Sequence, residues 1–138
     1  MQIDYQSIQK KIAGQQLQEA LVDLEAILKT DSENIEALYM TALCYRYLNN
    51  FDRAQSFLDS IKKVSPDHSR SHQEQGHLYR ARGVLDPALL AYQRACQLNP
   101  ALEASWHAQL DILTSRGQAE SPQAQQAVSQ IQRLKNLP

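Results

Sequence analysis

Sliding the 138-residue chain against itself by 34 positions brings Ala20, Ala54 and Ala88 into one column, and a period of that length constrains the fold more than any other feature. Further columns follow at the same offset. Leu17, Phe51 and Leu85 form one, Leu24, Leu58 and Tyr92 another, and Tyr45 pairs with Tyr79 and Pro66 with Pro100. The second of these lies four residues after the alanines, one helical turn along the same face. A chain of this kind is an array of short units, each burying too little surface to stand alone.

Each unit reads as two helices and a turn. In "IEALYMTALCYRYL" the apolar positions are Leu38, Ala42 and Tyr45; "NN" interrupts; then "FDRAQSFLDSIKKV" resumes with Phe51, Ala54, Leu58 and Ile61 at three- and four-residue spacing. The next unit carries its own punctuation. Gly83 is expected in the turn, Asp86 as the side-chain cap of the following helix, and Pro87 at its first position, where a missing N–H costs nothing. Asn99-Pro100 should end that helix, because the residue before proline is pushed out of the helical region. The last stretch starts with Ser121-Pro122 and is apolar at Ala124, Ala127, Val128, Ile131 and Leu134, with glutamines on its other side. One packed face and one wet face suit a terminal capping helix.

Composition excludes several functions. A chain 43% hydrophobic and 21% charged can build a core, so disorder is not expected. No apolar run approaches the length of a membrane span, and "MQIDYQSIQKK" lacks the apolar segment of a signal peptide, so a cytoplasmic location with no membrane partner is expected. Net charge is −1 with no long basic run, which speaks against a nucleic-acid partner. Cys44 and Cys96 are isolated thiols, expected as small buried side chains and not as a disulfide or zinc pair.

The column order resembles the tetratricopeptide repeat. The matching residues are Leu38, Ala42, Tyr45, Ala54, Leu58 and Pro66 in the second unit and His72, Gly76, Tyr79, Ala88, Tyr92 and Pro100 in the third, with Trp106, Leu110 and Leu113 in the fourth. The resemblance implies an all-α fold, a right-handed superhelical solenoid of about four helix-turn-helix units with a C-terminal capping helix. It makes residues 1–138 a single domain with units near 1–34, 35–68, 69–102 and 103–138. Thr41, Gln75 and Gln109 stand where the family has Leu, so looser first-helix packing is expected there.

In that family the concave face is lined by first helices, and this carries over to Tyr39, Met40, Leu43, Arg46, Tyr47, Arg70, Gln73, Glu74, His77, Arg80, His107 and Asp111. Aromatic and Arg side chains of this kind dominate interface hot spots, and Tyr39, Arg46 and Tyr47 share one helix. A protein or peptide partner is therefore expected. Co-chaperones of the family clamp a C-terminal carboxylate with Lys, Asn and Arg; the corresponding residues here are Tyr5, Gln9, Met40, Arg70 and Glu74, of which only Arg70 is basic. Moving the clamp one unit along gives Tyr39, Leu43, Glu74, Ala104 and Ala108, a poorer set, so chaperone tails are not the expected ligand.

No Gly-rich phosphate loop, H-E-x-x-H or Gly-flanked serine nucleophile occurs, so no catalytic residue and no cofactor is expected in this chain. His68 and His72 lie four apart, yet no further ligand is spaced to complete a metal site. His77 and His107 could meet across the groove as a pH-sensitive contact. More weakly, "AYQRACQLNPALEASW" to "IQRLKNLP" resembles the repeat segment preceding the catalytic domain of bacterial sulfotransferases that carry such repeats. That resemblance implies a non-catalytic module of a larger enzyme, and the end at "NLP" would suit it. Repeat proteins that read RNA share a similar period, but the near-neutral charge argues against them.

Overall fold

The period in the side chains recurs in the backbone. In the computed structural model, which describes residues 2–138, Gln15, Asn49, Gly83 and Gly117 take left-handed φ values of 64°, 60°, 76° and 72°. Each follows a first helix of a pair, and each is one period from the next. All described secondary structure is helical. The chain divides into two compact units, Met1–Pro66 and Asp67–Pro138.

The first unit holds α1 (Tyr5–Ala13), α2 (Leu17–Thr30), α3 (Ile35–Tyr47) and α4 (Phe51–Val64), packed in sequence order. α1 starts on an Asp4 cap whose carboxylate accepts from the Ser7 N–H; Asn34 and Asn50 cap α3 and α4 in the same way. Leu17, Ala20, Leu21 and Leu24 put one stripe of α2 against Ile8 and Ile12 of α1 and Ala37, Met40 and Cys44 of α3. Burying a leucine such as Leu24, fully inaccessible here, contributes roughly 2 kcal/mol. α2 stops at Asp31 without a proline, in the same extended geometry that Ser65 adopts before Pro66. The proline is thus one way of closing the connection and not a requirement for it.

The second unit holds α5 (Ser69–Ala81), α6 (Leu85–Leu98), α7 (Glu103–Ser115) and α8 (Pro122–Lys135), again packed in order. At Gly76 α5 lies close against α6: a Cβ there would lie 2.7 Å from the Tyr92 ring. One period earlier the two positions hold Ala42 and Leu58, the first larger than Gly76 and the second smaller than Tyr92, and both are buried. Trp106, Cys96, Ala127 and Ile131 form a second cluster that seats α8, and Ser121 caps that helix with Pro122 at its first position, as expected. Val128, however, is 38% exposed and lies off the packed stripe.

Two further expectations need correction. α6 begins at Leu85 on an N-cap at Val84, so Asp86 and Pro87 are its second and third residues and Asp86 does not cap it. The left-handed Gly83 reverses the chain early enough for the helix to start sooner, and Pro87 remains harmless because the first four N–H groups of a helix have no intrahelical acceptor. The Asp86 carboxylate instead pairs with Arg116 beyond α7. Nor are two of the three polar positions loose, although Gln75 is only half-buried. Thr41 is 1% exposed and donates its hydroxyl to the Ala37 carbonyl at 2.7 Å, while Gln109, 3% exposed, donates to the Tyr92 carbonyl at 3.4 Å and to Cys96 Sγ at 3.3 Å. Local acceptors let these two side chains stay buried at leucine positions.

Candidate functional site

α3 presents the aromatic and basic candidates of the first unit. Its thirteen residues make more than three turns, so Tyr39, Leu43, Arg46 and Tyr47 recur at three- and four-residue spacing along one side. Tyr39 and Leu43 are half-buried, their inner edges packed on the first-unit core. The Arg46 guanidinium lies 4.7 Å from the centre of the Tyr47 ring, and Tyr47 is 46% exposed. A planar cation held over an aromatic face is a preformed contact for a partner's carbonyl, carboxylate or ring. Met40 differs: at 2% exposure it belongs to the core cluster, because its position on the helix turns it toward α2. It is therefore a packing residue and is removed from the set of partner contacts.

In the second unit the candidates are polar and already engaged. The Ser105 hydroxyl donates to Gln73 Oε1 at 2.7 Å, linking α5 to α7. Arg80 reaches Asp111 at 3.5 Å in an exposed ion pair of small energetic weight. His77 Nδ1 is 2.6 Å from the Tyr92 hydroxyl with the two rings edge to face, whereas His107 sits 3.2 Å from Glu103 on its own helix. Each imidazole thus has its own partner, which replaces the expected contact between them. Arg70 is half-buried near the start of α5. Glu74 is 2% exposed, so it offers no charge at the surface.

Sequence reasoning missed an aromatic stack on the first unit. Tyr45 of α3 and Phe57 of α4 stack at 5.7 Å and 8°, and Arg53 lies over both rings at 4.8 Å and 5.9 Å. The repeat column containing Tyr45 signalled a packing tyrosine, but only the α3–α4 pairing brings Arg53 to it. The remaining reactive groups are quiet. Burial pushes the Cys44 and Cys96 thiols up to about 11, so both stay protonated near neutral pH. His68 hydrogen-bonds Ser71 Oγ at 2.6 Å, and no cluster of three metal-ligating side chains occurs among the described residues.

Comparison with known proteins identifies the architecture. Residues 11–78 match the tetratricopeptide repeat family model. Cell division cycle protein 27 homolog A of Arabidopsis thaliana is 30% identical over 83 residues, which cover 60% of this chain. The chain spans only 12% of the length of that relative. Among solved structures, MamA (41-end) from Desulfovibrio magneticus RS-1 superposes with a TM-score of 0.75 at 17% identity, covering 95% of this chain and 73% of that one. The first TPR of Spaghetti (RPAP3), bound to the HSP90 peptide SRMEEVD, gives 0.72 at 18% identity over 81% of this chain and 89% of that one. At these identities the likeness is one of fold: an all-α helical repeat.

Proposed function

We propose that this chain, which carries tetratricopeptide repeats, is a protein-interaction scaffold that holds a partner's peptide segment against the α3 face of Tyr39, Leu43, Arg46 and Tyr47. The observation that carries this reading is the Arg46–Tyr47 pair, a half-buried cation over an exposed ring. Its guanidinium is already desolvated on one side by the ring, so little ordering cost remains when a partner arrives. Half-buried Tyr39 and Leu43 supply apolar surface beside it, anchored to the core and so rigid. A rigid aromatic platform with a fixed cation is the side-chain chemistry of an interface hot spot. In the second unit Arg70, Gln73, His77, Arg80, His107 and Asp111 offer a more polar set of contacts of their own.

The occupancy of a repeat neighbour by a short peptide supports a peptide-sized ligand. Its acidic tail is not the ligand we assign here. Of the residues at the clamp positions, Met40 and Glu74 are buried, which leaves Arg70 as the single cation. A labelled SRMEEVD peptide should show no saturable binding to this chain.

The test is the double variant Tyr39→Ala/Arg46→Glu, compared with the native chain by quantitative cross-linking in source-cell extract. Loss of the same cross-linked partners, with the helical circular dichroism spectrum unchanged, is the expected result. A folded double variant that still captures them would move the contact away from α3.

A further inference from the structure

Between α6, α7 and α8 the second unit carries an open cleft of about 360 Å³ that shares no residue with the α3 face. Six of its lining residues are glutamines, two from α6, one from α7 and three from α8, and none of the others is charged. Trp106 and Cys96, both buried, lie at its apolar side. A space of this size is within the range of pockets that bind small ligands.

The hydrogen-bonding pattern within it is uneven. Gln109 is 97% buried and spends its amide N–H groups on the Tyr92 carbonyl and Cys96 Sγ, so its Oε1 is left without a donor. No described side chain buries an unpaired polar atom, which means that this oxygen is open to the pocket that Gln109 lines. At the rim the bias is reversed. Gln97 Oε1 accepts from Arg94 at 3.4 Å and Gln130 Oε1 from Arg133 at 2.9 Å, leaving the NH₂ ends of both amides as donors. The two arginines thereby bias which way the rim amides turn.

An acceptor at depth with donors around the mouth is complementary to a neutral carboxamide, whose NH₂ and C=O are held in one plane and can engage both at once. An acid would meet the Gln109 oxygen with a second acceptor, and a hydrocarbon would leave all three groups unpaired. The geometry points to this pocket as a docking site for a carboxamide side chain of a partner polypeptide, its NH₂ on Gln109 and its carbonyl on the rim amides, with glutamine as the form tested. The volume exceeds what one carboxamide fills, so flanking backbone would enter with it, which favours a polypeptide over a free small amide.

The probe is acetyl-Ala-Gln-Ala-amide, titrated into the ¹⁵N-labelled chain while the side-chain NH₂ signals of Gln97, Gln109 and Gln130 and the Trp106 indole are followed. Saturable shifts of these signals are expected. The Glu-containing peptide should bind at least about tenfold more weakly, as should the native probe to the Gln109→Leu variant. Leucine is the repeat family's own residue at that column, so the variant is expected to fold; Gln130→Ala, a surface change, provides an independent check and should weaken binding too. The Tyr39→Ala/Arg46→Glu variant should bind the probe normally, which separates this site from the α3 reading. No shifts, equal binding of the Glu peptide, or undiminished binding by both Gln109→Leu and Gln130→Ala would overturn the assignment. Acetamide binding as well as the tripeptide would overturn the polypeptide part of it.

Discussion

Replacing Gly76 by alanine should destabilise the protein even though the change favours helix formation. Glycine to alanine inside a helix is worth about 1 kcal/mol in propensity. Against that, the new methyl would stand 2.7 Å from Cδ1 and Cε1 and 2.9 Å from Cζ of Tyr92. That ring is fully buried, and its hydroxyl is tied to His77 at 2.6 Å, so it cannot swing aside cheaply. Overpacking of this kind costs about 1–3 kcal/mol, and breaking the His77 contact adds about 1 kcal/mol. The net loss is about 1–3 kcal/mol, or roughly 4 °C of melting temperature per kcal/mol for a domain of this size. Urea unfolding of Gly76→Ala, Tyr92→Leu and the double variant measures it. The double variant reproduces the Ala42 and Leu58 pairing of the first unit, so the clash should vanish and the two changes should couple by at least about 1 kcal/mol. A single Gly76→Ala variant more stable than the native chain by the propensity term, with no coupling, would refute the packing argument.

Gln15 holds a left-handed φ of 64° where Gly83 holds 76°; Gln15→Gly should therefore gain, and Gly83→Ala lose, about 0.5–1 kcal/mol in thermal unfolding. Ala54, 1% exposed, should reject leucine at a cost of about 1–3 kcal/mol, and an unchanged melting temperature would contradict the packing of α4. The thiols make a pH prediction. Their folded values lie near 11 against an ordinary 9.0, so the unfolded chain ionises first. Stability they contribute is intact below pH 9 and falls between pH 9 and 11, a decline that Cys44→Ala/Cys96→Ala should flatten in pH-dependent unfolding.

Helix pairs and their packed columns were legible because apolar spacing reports directly which face is buried. Ala20, Ala54 and Ala88 are all buried as the period requires, and Ser121 caps α8. What escaped was set by neighbours and not by local pattern. A methionine in a first helix reads equally well as contact or core, and only the rotation of α3 against α2 turned Met40 inward. Asp86 has the chemistry of a cap, but Gly83 moved the helix start two residues upstream of where the Asp-Pro pair suggested. Gln15 and Asn49 gave no glycine signal for the left-handed turns that they make. The donor and acceptor bias of the glutamine pocket depends on Arg94 and Arg133, whose bonds no spacing rule records.

The turns at 15, 49, 83 and 117 have a consequence for how such a gene can change. Removing or duplicating any 34-residue stretch between the start of α2 and the end of α7 rejoins the backbone at an equivalent position, with the same handedness at the reversal and the same helix length. Unequal recombination in that part of the sequence therefore conserves structural phase. The last connection does not share this property, because α8 begins and ends three residues later than the spacing of α2, α4 and α6 would place it. A crossover reaching past Gly117 changes the phase, so duplication and loss of units should accumulate before that point and stop at it.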